Sequence, residues 1–378
     1  MAERQGFEPW VQLSPYTRLA GEHLRPTRSP LRSEYGHSIL IYSMNCNNMA
    51  QRGPMPTNHL KRMRDTLKTR HDVLRLTREF FYERDYVEVE TAHLMATAPP
   101  DPHIDPLEVR VSGKGPYFLH TSPEMNLKKL LRLGHRRIFE ICKVWRVEEL
   151  KEVHNTEFTM LEWYREGSCK DIMAETGELI QWVAQHLAGT EKRRFAEPFT
   201  VYQLNQLFMD IMGFDPFPLD RDALFAALKD KGFLGIDDKD DWNSLFFKVF
   251  IQEIEQALPN DRPYFIYGWP SSISTMAKKR DDRSNMVERF ELYIGGLEIA
   301  NGYTELTDPA EQRKRFDDDN RERERLGKRQ FPPDQAFLDS LRMIDHDCTG
   351  VSVGIDRLLM ALLGKKTIDE VIMDRLIV

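Results

Sequence analysis

The sequence predicts an α+β fold in which helices flank an antiparallel β-sheet, and three observations carry that reading. A long amphipathic segment opens at His59, where Leu60, Met63, Leu67, Leu74 and Phe81 recur at helical spacing with charges between them. Residues 86–90 alternate with period two, and the runs 137–146 and 157–165 are rich in Ile, Phe, Met and Trp with a polar loop between them, the pattern of an antiparallel hairpin. Residues 170–258 are mainly helical in pattern, and 264–273, 287–300 and 348–354 then supply further strands, so the two element types are segregated rather than strictly alternating.

The elements sit in a chain of 378 residues, 41% hydrophobic and 30% charged, which is long enough to bury a sizeable core. Residues 1–58 hold Pro9, Pro15, Pro26, Pro30, Pro54 and Pro56 and no sustained period, so they are expected to be a disordered extension, with Met44, Met49, Met55 and Met63 each offering a later start. A single catalytic-sized unit is expected over 59–378. Residues 308–328 are dense in alternating charge and read as a solvated helix. No repeat or low-complexity tract interrupts the pattern.

Composition excludes several function classes. Sixty acidic against 53 basic residues give a net charge of −7, so no broad electrostatic grip on nucleic acid is written into the bulk of the chain. The longest apolar run near the start, 39–42, is too short for a signal-peptide core or a membrane span, and a cytoplasmic location without membrane association is expected. Cys46, Cys142, Cys169 and Cys348 lie far apart without a C-x-x-C pair, which argues for reduced, unligated thiols rather than disulfides or a structural zinc site.

Chemistry concentrates on 157–165. Alternation puts Phe158, Met160, Glu162 and Tyr164 on one face and Thr159, Leu161, Trp163 and Arg165 on the other. The first face offers an aromatic plate, a thioether, a carboxylate and a phenol, and reads as a binding floor; on this strand alone, a Glu162 pointing to water would be as good a reading. The preceding strand ends at Arg146, and Glu148, His154 and Asn155 follow in the loop, so all four would overhang that floor. A guanidinium fork suits a phosphate, and Phe158 can stack on a base.

These residues resemble a known family, the class II aminoacyl-tRNA synthetases, in their lysyl branch. R-V-E-E-L-K-E-V-H-N-T-E-F-T-M-L-E-W-Y at 146–164 resembles the second signature motif, and F-E-L-Y-I-G-G-L-E-I-A-N-G-Y-T-E-L at 290–306 together with G-V-S-V-G-I-D-R-L-L-M at 350–360 extends the likeness through the third. The motifs fall at about 74–95, 137–165 and 348–363. Three motifs in order are a far more specific signal than any one of them.

The resemblance implies roles. Arg146 would hold the α-phosphate of ATP, Glu148 and Asn155 would read the adenine edge, and Phe158 would stack under the base with Arg357 above it. Arg357 follows Gly354 at the start of a helix, where the dipole also favours phosphate. His154 would meet the γ-phosphate, and Glu291 and Glu298, on facing parts of one strand segment, would hold Mg²⁺. For the amino acid, Glu162 and Glu305 would surround a side-chain ammonium over Met160, with Tyr164 against the aliphatic stem. Glu124 would take the backbone amino group, with Ser122 beside it in the substrate site, and Asn301 would help orient the carboxylate. No general base or nucleophile stands out, as expected where positioning and charge neutralisation suffice for adenylate formation.

A full lysyl-tRNA synthetase precedes this domain with an OB-fold anticodon barrel, for which 1–58 has neither length nor alternation. The chain therefore resembles the truncated bacterial branch, which implies (R)-β-lysine or lysine as substrate, a lysine ε-amine of translation elongation factor P as acceptor, no stable tRNA binding, and a homodimer. D-P-H-I-D-P at 101–106 agrees with that branch, and Ala300 stands where lysyl-tRNA synthetases have glycine, a methyl that would favour a β-amino acid. Ala92 replaces the usual first-motif proline, which weakens the expectation of the dimer, and Val147, Glu149 and Thr156 replace the usual Asn, Gly and Pro of the second. Two other readings stand beside this one: a minimal enzyme charging tRNA, and a regulatory paralogue without catalysis, which would be expected to lack some of Arg146, Glu291, Glu298 and Arg357.

Overall fold

A computed structural model describes residues 57–147, 151–273, 276–281 and 285–373. The expected extension therefore lies outside the described residues, apart from Thr57 and Asn58, which open α1 (Thr57–Tyr82). After α1 come β1 (Val87–Glu88), β2 (Leu94–Met95), β3 (Glu108–Val111), β4 (Lys114–Leu119), α2 (Glu124–Leu131), β5 (Arg137–Trp145) and β6 (Glu157–Glu166). A helical stretch follows with α3 (Cys169–His186), β7 (Thr200–Gln203), α4 (Leu204–Met212), α5 (Arg221–Asp230), α6 (Trp242–Val249) and α7 (Glu255–Ala257). The chain closes through β8 (Tyr264–Tyr267), β9 (Arg289–Ile294), β10 (Leu297–Thr304), α8 (Pro309–Arg325), α9 (Gln335–Leu341), β11 (Cys348–Gly354) and α10 (Ile355–Leu363).

Eight strands form one sheet in the order β1-β5-β6-β11-β10-β9-β8-β7, antiparallel throughout its centre and parallel only at the two edge pairs. The hairpin of β5 and β6 forms with Cys142 opposite Met160 and Glu140 opposite Glu162. One sheet face packs against α1, α3 and α10 through Phe81, Trp163, Leu179, Val353 and Leu358, all fully or almost fully buried. Helix α3 starts where Ser168 and Asp171 cap each other's backbone, the reciprocal box that satisfies otherwise orphaned donors.

Several expectations need correction. Residues 287–300 are not one strand but β9 and the start of β10, reversed at Gly295–Gly296, both in the left-handed region at φ 64° and 75°. Strand character in 264–273 stops at Tyr267, and a 3₁₀ turn spans Ser271–Ile273. The three-stranded sheet β2-β4-β3, strand β7 and helix α2 escaped the sequence reading, because short strands and an eight-residue helix carry too few periods to register.

Helix α8 is charged as expected, but it is not solvated all round. Gln312, Phe316 and Arg323 face inward, and Arg323 is 1% exposed. Its guanidinium donates to the Asp101 carbonyl (2.6 Å), the Arg329 carbonyl and Asp105 Oδ1 (2.7 Å), and lies over the Phe331 ring. Burial alone would raise the Asp105 carboxyl, but Lys328 and Arg323 outweigh it and hold the group below its ordinary range. Arg323→Ala is expected to lower stability by about 2–3 kcal/mol; Asp105 is partly exposed and keeps Lys328, which holds the loss at the lower end for a buried charged network. Denaturant unfolding checks this, and an unchanged midpoint would refute the bracing role.

Candidate functional site

The other face of the sheet forms the floor of a cavity of about 1550 Å³, larger than a single small-molecule pocket requires. Phe158, Met160, Glu162 and Tyr164 all line it, while Leu161 and Trp163 enter the opposite core, as the alternation along β6 demands. Of the other residues singled out from sequence, Ser122, Glu124, Arg146, His154, Asn155, Glu291, Glu298, Ala300, Asn301, Glu305, Gly354 and Arg357 line the same cavity. Glu148 lies outside the described residues.

At one end, Arg146 is held by a hydrogen bond from Nε to the Thr121 carbonyl (3.0 Å), with its guanidinium 5.2 Å from the centre of the Phe158 ring. Arg357, expected above an adenine stacked on that ring, donates to His154 Nε2 (2.7 Å) and the Glu298 carbonyl (3.2 Å), so His154 accepts there. Arg357 stands on the first turn of α10, whose start is fastened to β6: the Asp356 carboxylate accepts from the Thr159 amide (2.7 Å) and pairs with Arg70, which also reaches the Thr159 hydroxyl.

Glu291 and Glu298 come from the two strands of the β9–β10 hairpin and not from one strand, and each faces the cavity. Glu291 accepts from Arg289 (2.5 Å) and from the Tyr293 hydroxyl (2.6 Å). Burial pushes its carboxyl well up, and Glu298 adds to the rise while Arg289 opposes it. Behind them stands Glu255, which no sequence pattern marked; burial, with Glu298 adding, raises its carboxyl to about 8. Clustered carboxylate oxygens that raise one another are the donor chemistry of a hard divalent cation.

The opposite end holds a second set of acids. Glu162 accepts from the Ser122 hydroxyl (2.6 Å) and the Tyr164 hydroxyl (2.7 Å), and Glu124 accepts from the Tyr303 hydroxyl (2.6 Å). The fully buried Lys128, one turn along α2 from Glu124, pairs with Glu124 Oε1 (2.5 Å) and with Glu305. A protein ammonium thus already lies against Glu305, one of the two acids expected around a ligand's ammonium. Neither Glu305 oxygen accepts an aligned hydrogen bond among the described residues, however, so the carboxylate keeps acceptor capacity. Burial raises both Glu162 and Glu305 to about 8, with Glu124's charge adding in each case and Lys128 opposing.

Lys128, Tyr303 and Gly350 were missed from sequence. Lys128 sits in a plain amphipathic helix, and nothing local shows that its side chain turns inward. Gly350, opposite Tyr164 in β11, has no side chain to signal anything, yet a Cβ there would overlap the Tyr164 ring and lie 2.5 Å from Glu305 Oε1. Ala300 is 2% exposed at a bulge in β10, packed into the core and bordering the cavity. Asn301 accepts from Arg289 Nε (3.0 Å), and Asn155 is fixed through its amide to the Glu157 carbonyl (2.8 Å).

No described helix is long and apolar enough to cross a membrane. Residues 55–373 match the family of tRNA synthetases class II (D, K and N). Curated relatives named elongation factor P–(R)-β-lysine ligase include those of Vibrio atlanticus (38% identical over 81% of this chain and 94% of the relative), Pseudoalteromonas translucida (37%, covering 81% and 94%) and Salmonella typhi (36%, covering 78% and 90%).

Proposed function

Because the chain belongs to the class II tRNA synthetases of the D, K and N group, we propose that it activates lysine or (R)-β-lysine with ATP and transfers it to a lysine ε-amine of elongation factor P. The observation that carries the substrate is a charge count. Glu124, Glu162 and Glu305 couple electrostatically around one internal cation among the described residues, Lys128, so two negative charges remain whenever all three acids are ionised. A diammonium amino acid draws the protons off the raised carboxyls and balances those charges; a neutral or acidic side chain supplies no cation to do so. The names of the relatives support the acceptor.

In this reading Phe158, Asn155 and Glu148 seat the adenine, and Arg146, Arg357 and His154 take the triphosphate. Glu291 and Glu298 would hold Mg²⁺, which supplies charge neutralisation on the phosphates when bound. Ser122, Glu124 and Asn301 orient the amino and carboxylate groups, Met160 and Tyr164 cover the stem, and the Ala300 methyl narrows the space beside the amino group. The substrate carboxylate then attacks the α-phosphorus in line and pyrophosphate leaves. An acceptor amine attacks the carbonyl of the adenylate, loses a proton and releases AMP. Residues 59–378 act as one catalytic domain, and the enzyme works as a cytoplasmic homodimer.

Intact mass of elongation factor P, incubated with the chain, ATP, Mg²⁺ and each lysine isomer in turn, tests this. A gain of one lysyl unit is expected; pyrophosphate exchange with charging of tRNA and no gain on that protein would overturn the acceptor.

The raised acids add a pH signature. Glu162 and Glu305 hold protons up to about pH 8 in the protein alone, and a dication between them favours the ionised forms. Binding at pH 7 is therefore expected to release protons, and affinity is expected to rise with pH until about 8, by up to about tenfold per unit for each proton released. Calorimetry in buffers of different ionisation enthalpy reads this, and proton uptake on binding would contradict it.

A further inference from the structure

Outside the cavity, three side chains from distant parts of the chain converge on one point. His93 lies between β1 and β2, His120 follows β4, and Cys142 is on β5; one ligating atom of each falls within 4.8 Å of the others. The two imidazole centroids lie 4.7 Å apart with planes 27° from parallel, both rings near Trp145, and the His120 amide donates to the His93 carbonyl, so the backbone fixes the pair while a ring must turn for both lone pairs to meet one ion.

A backbone contact fixes the tautomer of His120. Its Nε2 lies 2.7 Å from the Lys143 carbonyl, which can only accept, so Nε2 carries the proton and Nδ1 presents a lone pair. His120 is 3% exposed, and that Nδ1 has no hydrogen-bond partner. Burial holds the ring neutral, with its pKa lowered to about 4. A buried lone pair without a donor is destabilising, and no hydrogen bond within the cluster relieves it. The carbonyl behind the ring is also the support that metal-bound histidines ordinarily have.

We propose that His93, His120 and Cys142 form a site for one thiophilic metal ion of the Zn²⁺ type. Two imidazoles and one thiol are its preferred donors, and the hard carboxylate oxygens of Glu291 and Glu298 are not. Tetrahedral bond lengths require ligand separations of roughly 3.3–3.6 Å, so the three groups draw together by about an ångström as the ion enters. Cys142 gives up its thiol proton to solvent and bonds as thiolate; the partly exposed side at His93 leaves a fourth position for water. Occupancy would brace the segment that runs from His120 into Thr121, whose carbonyl holds Arg146, and Ser122, whose hydroxyl holds Glu162.

Full-length protein stripped with chelator and kept reduced is titrated with Co²⁺, read by the thiolate-to-cobalt charge-transfer band in the near ultraviolet, and then with Zn²⁺. The band is expected to saturate at one equivalent, to vanish in Cys142→Ser, and to persist in Cys169→Ser and Cys348→Ser. Zn²⁺ affinity should fall by more than about a hundredfold in Cys142→Ser, beyond the loss of a merely supporting group. No band in the parent protein, or a band that survives Cys142→Ser, overturns the site. Should Cys142→Ser not fold, His93→Ala and His120→Gln decide: loss of the band supports the site, and its retention refutes it.

Discussion

Replacing Arg357 by alanine is expected to slow ATP–pyrophosphate exchange by about 10³-fold or more, the scale on which a single guanidinium stabilises charge on a transferring phosphoryl group. The position is prepared by the fold. Asp356 ties the first turn of α10 to the Thr159 amide and Arg70, so the guanidinium is held at a fixed height above the β6 floor before any ligand arrives. Helix-dipole and side-chain charge act there in the same sense. Arg357→Lys is expected to recover little, because a point ammonium cannot replace a planar fork. Lysine binding without ATP should stay within a few-fold of the parent. A loss of less than tenfold in exchange would remove Arg357 from the phosphate site.

Gly350→Ala is expected to weaken the lysine-type substrate by more than about a hundredfold while leaving ATP binding within a few-fold. The reason is geometric: the new methyl would occupy space held by the Tyr164 ring and Glu305 Oε1, both buried, so both must shift into the cavity that they line. Moving Tyr164 also disturbs its hydrogen bond to Glu162, so one methyl alters two of the acids around the proposed ammonium site. Calorimetric titration of each ligand separates the effects. Equal losses for both ligands would mean that the substitution unfolds the sheet instead of reshaping one pocket.

The β6 floor was legible because strand alternation is a local rule: once 157–165 is a strand, Phe158, Met160, Glu162 and Tyr164 must share a face. The outcome at Glu291 and Glu298 is different. Their convergence could be anticipated only from resemblance, and the single strand supposed to carry them is a hairpin, because two glycines at positive φ reverse the chain between them. The sequence argument against a zinc site relied on spacing between cysteines, and spacing cannot show a cluster such as His93, His120 and Cys142, which the fold assembles from a loop, a strand end and the interior of β5.

By itself the sequence determined the element types with enough periods to register, the inward face of β6, and the family, since each depends on neighbouring residues or on motifs in order. Only the tertiary structure decided what each charge meets: that Lys128 turns inward to share Glu305, that Arg323 leaves the solvated side of α8, and that a glycine makes room for Tyr164. Burial and partners are set by segments far apart in the chain, and it is these, through desolvation and pairing, that fix how many charges a pocket leaves for its ligand.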